Sequence, residues 1–403
     1  MKRKQRILTW AALAAVLLLG ACTPRNKALD RQGLVDLMHS YLAAMVQHDP
    51  AMVPLADEVA FVENTVAMDP GQGLWETASA APGDFQIHAA DPVAQQVASL
   101  VLMKENGDKN CLAGIRLKVV DGRITEAEHL IVRDDGLREA SLANLQAPRP
   151  ALLEDVPPAE QTTRDDLIRI GLTYYDALTG EDGTLTPFAN DCERRENGMT
   201  TAGEREPLQT PVSDNPEEAD PEMIAMFENM SKFPRSCEGQ ISTGTFAYIT
   251  DIKERRIPVA DEQKGLAVGF SMFWHDGSLK EMEIKGVDGV TSVAADWGQF
   301  NLPAMHIYKI SNGQIHEIEA IACVGIPYQA SDGWSCTRSC LVEKMDQYLA
   351  ALAANDPSAA PLGEDVKLVE NTRRIPVGEG LWKSATGGPT DFKIVVADLF
   401  PGT

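Results

Sequence analysis

The chain has 403 residues, 44% of them hydrophobic, with 36 Lys and Arg against 59 Asp and Glu and a formal charge of −23. A field of that sign repels phosphate backbones and anionic headgroups, which excludes nucleic-acid binding and charge-driven adhesion to lipid. The length suffices for two or three domains.

The N-terminus reads as an export signal. Lys2, Arg3, Lys4 and Arg6 form a basic start, and residues 7–19 are an apolar run shorter than the roughly 20 residues needed to span a bilayer. Leu19-Gly20-Ala21-Cys22 then matches a bacterial lipobox, in which residues 1–21 are removed and Cys22 becomes the lipidated first residue. An ordinary cleaved signal peptide or an uncleaved anchor is the competing reading. Removing four basic and no acidic residues takes the charge from −23 to −27. Thr23 follows the Cys where an Asp would signal inner-membrane retention. The expected address is the cell envelope, at the outer membrane facing the periplasm, with membrane contact through the lipid anchor only. Export places the other six cysteines in an oxidising compartment. Disulfides are the default, and six cysteines allow 15 pairings.

Next comes a repeat. Residues 34–91 slide onto 341–398 without a gap, and 27 of 58 positions are identical. A more diverged copy lies at an offset of 133, taking Leu34 to Leu167, Tyr41 to Tyr174, Glu63 to Glu196 and Asn64 to Asn197. The chain therefore repeats one folding unit. Each copy opens on an amphipathic helix: Leu34, Leu37, Met38, Tyr41, Leu42 and Met45; then Leu167, Ile170, Gly171, Tyr174, Tyr175 and Leu178; then Leu341, Met345, Tyr348, Leu349 and Leu352.

Strands follow. Residues 111–133 carry an Asp-Gly turn between two β-rich runs, and 303–324 carry Asn-Gly at the matching place; both favour type I′ hairpins. Residues 269–284 read as another hairpin on Asp-Gly. Unit one is expected over 22–144 and a Pro-rich linker resisting helix and sheet over 145–163. Unit two is expected over 164–335, with a polar loop insertion at 198–236. The third unit, 336–403, has its helix and early strands without a closing sheet, which is incomplete as a fold. Truncation, a tail lying on unit two, and a homodimer in which another subunit completes the sheet are the three explanations.

Helix, then Glu-Asn-Thr or Glu-Asn-Gly, then a sheet ending in GRITEAEHLIVR or GQIHEIEAIAC resembles the nuclear-transport-factor-2-like, or SnoaL-like, cone. The tandem arrangement is similar to a SnoaL-like family of secreted proteins without a settled activity. The resemblance implies an α+β fold in which N-terminal helices pack on a curved antiparallel sheet in tandem cone-shaped units. It also implies a disulfide between Cys192 and Cys237. Cys336 and Cys340 could pair locally, and Cys111 and Cys323 are read as buried thiols or a cross-unit bridge.

In a cone, polar side chains on the concave face of the sheet are the candidates for chemistry. Arg194 and Glu196 share one strand face, as do His306 and Tyr308, and Glu317 and Glu319. A desolvated Glu196 suits a general acid or base, His306 a proton shuttle, and Tyr174 or Tyr308 a donor to an enolate. Arg194, Asn197, Tyr174 and Glu319 complete the ligand-binding set. The blander reading is that Glu196 and Asn197, present in all copies, hold the fold, and that Arg194–Glu196 is a salt bridge. His306 and Tyr308 have no counterpart in unit one, where the aligned strand is read as Arg116-Leu117-Lys118. His275 and His316 are read as solvated, and Trp274, Trp297 and Phe300 as core or pocket rim. No P-loop, GxSxG, GxGxxG, HExxH or EF-hand pattern occurs, so no metal and no cofactor is expected. The expected function is a small-molecule pocket in unit two for an apolar or carbonyl-containing ligand. The alternatives are a cofactor-independent lyase or isomerase using Glu196 with His306 or Tyr308, and a non-catalytic envelope scaffold.

Overall fold

A computed structural model describes residues 28–203, 232–296, 298–323, 338–363, 366–371, 373–389 and 393. The lipobox with Cys22, Cys336, Trp297 and most of the loop insertion lie outside them.

The fold is α+β, built on two curled sheets, each with its own helix. In the first unit Asp30 caps α1 (Arg31–Val46) by accepting from the Gly33 amide at 2.8 Å. There follow β1 (Leu55–Glu63), β2 (Val66–Ala67), α2 (Leu74–Thr77), β3 (Ala78–Ala80), β4 (Gln86–Asp91), β5 (Gln96–Glu105), β6 (Lys109–Val120) and β7 (Arg123–Arg133). Their order in the sheet is β2-β1-β7-β6-β5-β3, with β4 also paired to β5. Two short helices, α3 (Glu139–Asn144) and α4 (Pro150–Leu153), lead to the second unit. The expected structureless linker thus holds one helical turn, started by Pro150 at a first-turn position where its missing N–H costs nothing.

The second unit repeats the plan: α5 (Arg164–Gly180), β8 (Phe188–Glu196), β9 (Met199–Ala202), α6 (Cys237–Ser242), β10 (Asp251–Asp261) and β11 (Leu266–His275). Next come β12 (Glu281–Glu283), β13 (Ser292–Ala294), β14 (Phe300–Ser311) and β15 (Gln314–Ala322), and the main sheet runs β10-β11-β14-β15-β8-β9. Both expected closing hairpins form, with positive φ at both turn residues: 50° and 76° at Asp121-Gly122, 51° and 72° at Asn312-Gly313. The hairpin expected over 269–284 does not: β11 pairs with β10 and β14, while β12 pairs with β13. Asp276 turns the chain away instead, its side chain accepting from the Ser278 amide at 2.8 Å. In each unit the strand after the helix returns to lie parallel to the last strand, β1 on β7 and β8 on β15, in otherwise antiparallel sheets.

Three of the apolar cores among the described residues involve the two large sheets. One lies between α1 and the first sheet, and another between α5 and the second. The third joins the outer faces of the two sheets, where Phe85, Leu112 and Leu130 meet Phe270, Met305 and Ile321. Gly114 marks how closely they approach, since a Cβ there would stand 3.0 Å from the Met305 methyl.

The described part of the third copy reproduces the opening of the first: α7 (Arg338–Ala353), a 3-10 turn at Pro357–Ala359, β16 (Val369–Glu370), β17 (Arg373–Arg374) and α8 (Leu381–Ser384). The match extends to detail. Tyr41 meets Trp75 edge-on at 5.1 Å and Tyr348 meets Trp382 at 5.3 Å, while Gly73 and Gly380 enter their helices with φ of 66° and 62°.

Candidate functional site

The interior of the second unit is polar in a way its surroundings are not. Strand alternation sends His306 and Tyr308 of β14 toward α5, and the intervening Ile307 toward the core between the sheets. His306 and Tyr308 stack with ring centroids 5.8 Å apart; Tyr174 lies 5.3 Å from His306 and 5.4 Å from Tyr308. Tyr175 and Phe273 close the other sides of the imidazole, at 5.9 and 5.6 Å. Gly269, opposite His306 on β11, leaves room for the Tyr175 hydroxyl, which a Cβ there would meet at 2.4 Å.

Arg194 enters from β8, 1% exposed. Its Nε donates to Thr201 Oγ1 at 3.0 Å, its Nη2 to Gln240 Oε1 at 2.6 Å, and its guanidinium lies 4.9 Å over the Phe246 ring. The disulfide Cys192–Cys237 ties β8 to the start of α6, the helix that supplies Gln240. Glu196, two residues along β8, stands 3.4 Å from Arg194 Nε with 34% of its side chain exposed.

Five polar atoms here are buried without a partner in regular hydrogen-bond geometry: Tyr175 Oη, Ser271 Oγ, His306 Nδ1, Tyr308 Oη and Arg194 Nη1, the last on a side chain that lies beside Tyr174. The hydroxyls of Ser271 and Tyr308 lie beside that of Tyr175, yet none of the three bonds another in regular geometry. Burial, seconded by the charge of Arg194, pushes the His306 imidazolium down to about 3, so the ring is neutral. Burial pushes the Tyr174 phenol up to about 12 and raises Tyr175 and Tyr308 as well. Burial alone would lower Arg194, but Glu196 and Tyr174 raise it, so it stays a cation. The interior thus offers a neutral imidazole, phenol donors and one buried positive charge against aromatic walls.

The first unit closes the same space differently. Trp75 Nε1 donates to Tyr41 Oη at 3.2 Å, Tyr41 Oη meets His129 Nε2 at 3.0 Å, and His129 Nδ1 lies 3.7 Å from Glu63. The pairing registers correct the alignment read from sequence. With Asn64 bonded to Ile131 and Asn197 to Ala322, His306 and Tyr308 correspond to Ile115 and Leu117, and Arg116 points to the other face. The interior histidine has moved from β7 in one unit to β14 in the other.

The remaining candidates are elsewhere. Asn197 sits in the turn after β8 at φ 48°; its Nδ2 donates to Ala322 O and its Oδ1 accepts from Ala322 N, both at 2.9 Å. Asn64 makes the same pair of bonds with Ile131, at 3.0 and 2.7 Å. Glu63 and Glu370 accept the first amide of the following helix, from Leu74 at 2.7 Å and Leu381 at 2.8 Å. Glu319 lies on the opposite face of the sheet from His306. There Arg149 of the linker binds it at 3.0 Å, and binds Glu317 and Glu193 with it. Burial raises the Glu319 carboxyl although Arg149 and Arg195 oppose this. Sequence could not place Arg149 there, because nothing local marks a linker residue that reaches the acidic side chains of two distant strands. His275 is buried, not solvated, with Nδ1 2.7 Å from Tyr248 O. His316 pairs with Asp191 at 2.7 Å. Trp274 is buried under Lys253, and Phe300 packs 4.9 Å from His275. Cys111 and Cys323 are buried free thiols.

Comparison with known proteins gives little chemistry. No curated protein matches the chain. PrhC from Penicillium brasilianum NBRC 6234 is 12% identical, with 25% of this chain and 82% of that chain covered at a TM-score of 0.21. AclR from Streptomyces galilaeus is 15% identical, with 32% of this chain and 92% of that chain covered, also at 0.21. Likeness at that score carries no argument about this chain. Residues 160–322, the span from α5 through β15, match the family described as a domain of unknown function (DUF8021).

Proposed function

We propose that the chain is an exported, lipid-anchored envelope protein whose units are SnoaL-like cones, the second of which holds a small molecule. The ligand is largely apolar and presents carbonyl-type oxygens to Arg194, His306 and the tyrosine hydroxyls. One observation carries this reading: five buried polar atoms without a partner in regular geometry surround one interior of unit two, whereas in the equivalent space of unit one Trp75, Tyr41 and His129 are joined in a hydrogen-bonded chain. Leaving a buried polar group without a well-formed hydrogen bond costs about 1–3 kcal/mol, so an occupant that completes these bonds would be favoured. Glu196, set against Arg194 and part-exposed, acts here as a charge partner at the edge of the site.

Mass spectrometry of untagged protein extracted from its native envelope tests the proposal. The expected result is a mature N-terminus at acylated Cys22 and a stoichiometric small molecule that is lost in Arg194→Met. A different, unacylated N-terminus would remove the address. A ligand-free protein whose crystal structure shows Tyr175, Ser271 and Tyr308 bonded to one another would remove the binding site.

A further inference from the structure

We infer that unit one carries a surface site for a divalent transition-metal ion, built by His39 and His88. His39 stands on the exposed face of α1 and His88 is half-buried on β4, and their Nε2 atoms face each other at 3.2 Å with the rings 83° apart. Two imidazole nitrogens bound to one tetrahedral zinc at about 2.0–2.1 Å are separated by about 3.3 Å. The pair is therefore at ligand spacing before any ion arrives; an imidazole–imidazole hydrogen bond with His39 as donor holds the place, and on metal binding the exposed His39 carries its proton on Nδ1 instead, freeing its Nε2 lone pair.

His88 is also oriented from behind. Its Nδ1 lies 2.6 Å from the hydroxyl of buried Ser99, its cross-strand partner on β5. A hydroxyl accepting the Nδ1 proton leaves the Nε2 lone pair free, the arrangement that supports metal-bound histidines. Arg31, whose positive charge acts on His88, is paired with Asp261 at 2.8 Å, which offsets its repulsion of a cation. The fold does not require these residues. At the matching positions unit two has Leu172, Pro258 and Gly269, and the third copy has Asp346 and Val395 for the two histidines. No cluster of three or more ligating side chains occurs among the described residues, so water or an oxygen of an external ligand completes the coordination. Imidazole donors select zinc or copper over magnesium and calcium.

Isothermal titration of the untagged protein with Zn²⁺, Cu²⁺ and Mg²⁺ decides the matter. One site for Zn²⁺ and Cu²⁺ and none for Mg²⁺ is expected. His39→Gln, at an exposed position, and His88→Gln should each weaken it at least tenfold, and Ser99→Ala should weaken it by roughly 10–100-fold through loss of orientation. Absence of Zn²⁺ and Cu²⁺ binding, or binding unchanged in His39→Gln, would overturn the assignment. The His39 variant alone settles it should His88→Gln fail to fold.

Discussion

At the residue scale, Asn64, Asn197 and Asn371 show why one dipeptide recurs through the chain. Each has φ between 46° and 49°, a region where Asn is among the few tolerated side chains. Asn64 and Asn197 also do what a neighbouring strand would do, bonding both polar groups of the residue opposite them in the last strand. Truncating Asn64 to Ala therefore removes two hydrogen bonds, orphans a buried amide and strains the turn. A loss of about 2–4 kcal/mol is expected by urea unfolding. Asn64→Gly should recover only the turn's share, about 1 kcal/mol, and Asn371→Ala, at an exposed turn, should cost about that much. Equal losses at Asn64 and Asn371 would contradict the strand-bonding role. Recurrence in the sequence announced that this residue matters to the fold. It could not reveal that the amide reaches the last strand, because that contact spans 67 residues in one unit and 125 in the other.

At the scale of elements, local patterns located the opening helix of each copy and the closing hairpins, because an apolar stripe and a positive-φ dipeptide are decided within a few residues; the short helices, α4 in the linker among them, carry no such stripe and were not read. They failed at β12 and β13, where a turn signal was correct but the partner strand was not, and at the parallel pairs β1–β7 and β8–β15, which no neighbour in sequence specifies. The candidate site was legible in the same measure. Tyr174, Arg194, His306 and Tyr308 do converge, whereas Tyr175 and Ser271, its other polar lining, were missed. The signal for Tyr175 was available, as a second aromatic on the same helical stripe. The disulfide links these two levels. It closes a loop of separation 45 and fixes α6, whose Gln240 orients Arg194. Replacing both cysteines with Ser should lower the unfolding free energy by up to about 4 kcal/mol and free the Arg194 side chain. Denaturant midpoints would measure the first effect, and a loss under about 1 kcal/mol would mean the loop is already restrained by its other contacts.

At the scale of the molecule, the two units meet as duplicated surfaces do, by matching a patch against its own copy. Arg31 at the start of α1 binds Asp261 at the end of β10 at 2.8 Å; Arg164 at the start of α5 binds Asp91 at the end of β4, also at 2.8 Å. The carboxylates reciprocate in backbone bonds, Asp261 accepting from Ala90 at 3.0 Å and Asp91 from Ala260 at 3.2 Å. The symmetry breaks at Glu128 and its counterpart Glu319. Arg116 binds Glu128 at 2.9 Å and Arg256 of the other unit binds it as well, whereas Glu319 depends on the linker's Arg149. Burial would raise the Glu128 carboxyl, but Arg256 and Arg116 overcome it and hold the group down to about 2. A carboxyl depressed in the folded state stabilises above its unfolded value and loses that contribution as pH falls through the folded one. The joint between the units should therefore weaken from about pH 4.5 toward pH 2, by about 3 kcal/mol from this residue. Glu319, raised instead, acts in the opposite sense, favouring the folded state while protonated and opposing it as pH rises. Unfolding free energies across this range should fall steeply in the wild type. In Glu128→Gln they should start lower at neutral pH and fall less, and a mutant slope equal to the wild type's would show that Glu128 is not what acid releases.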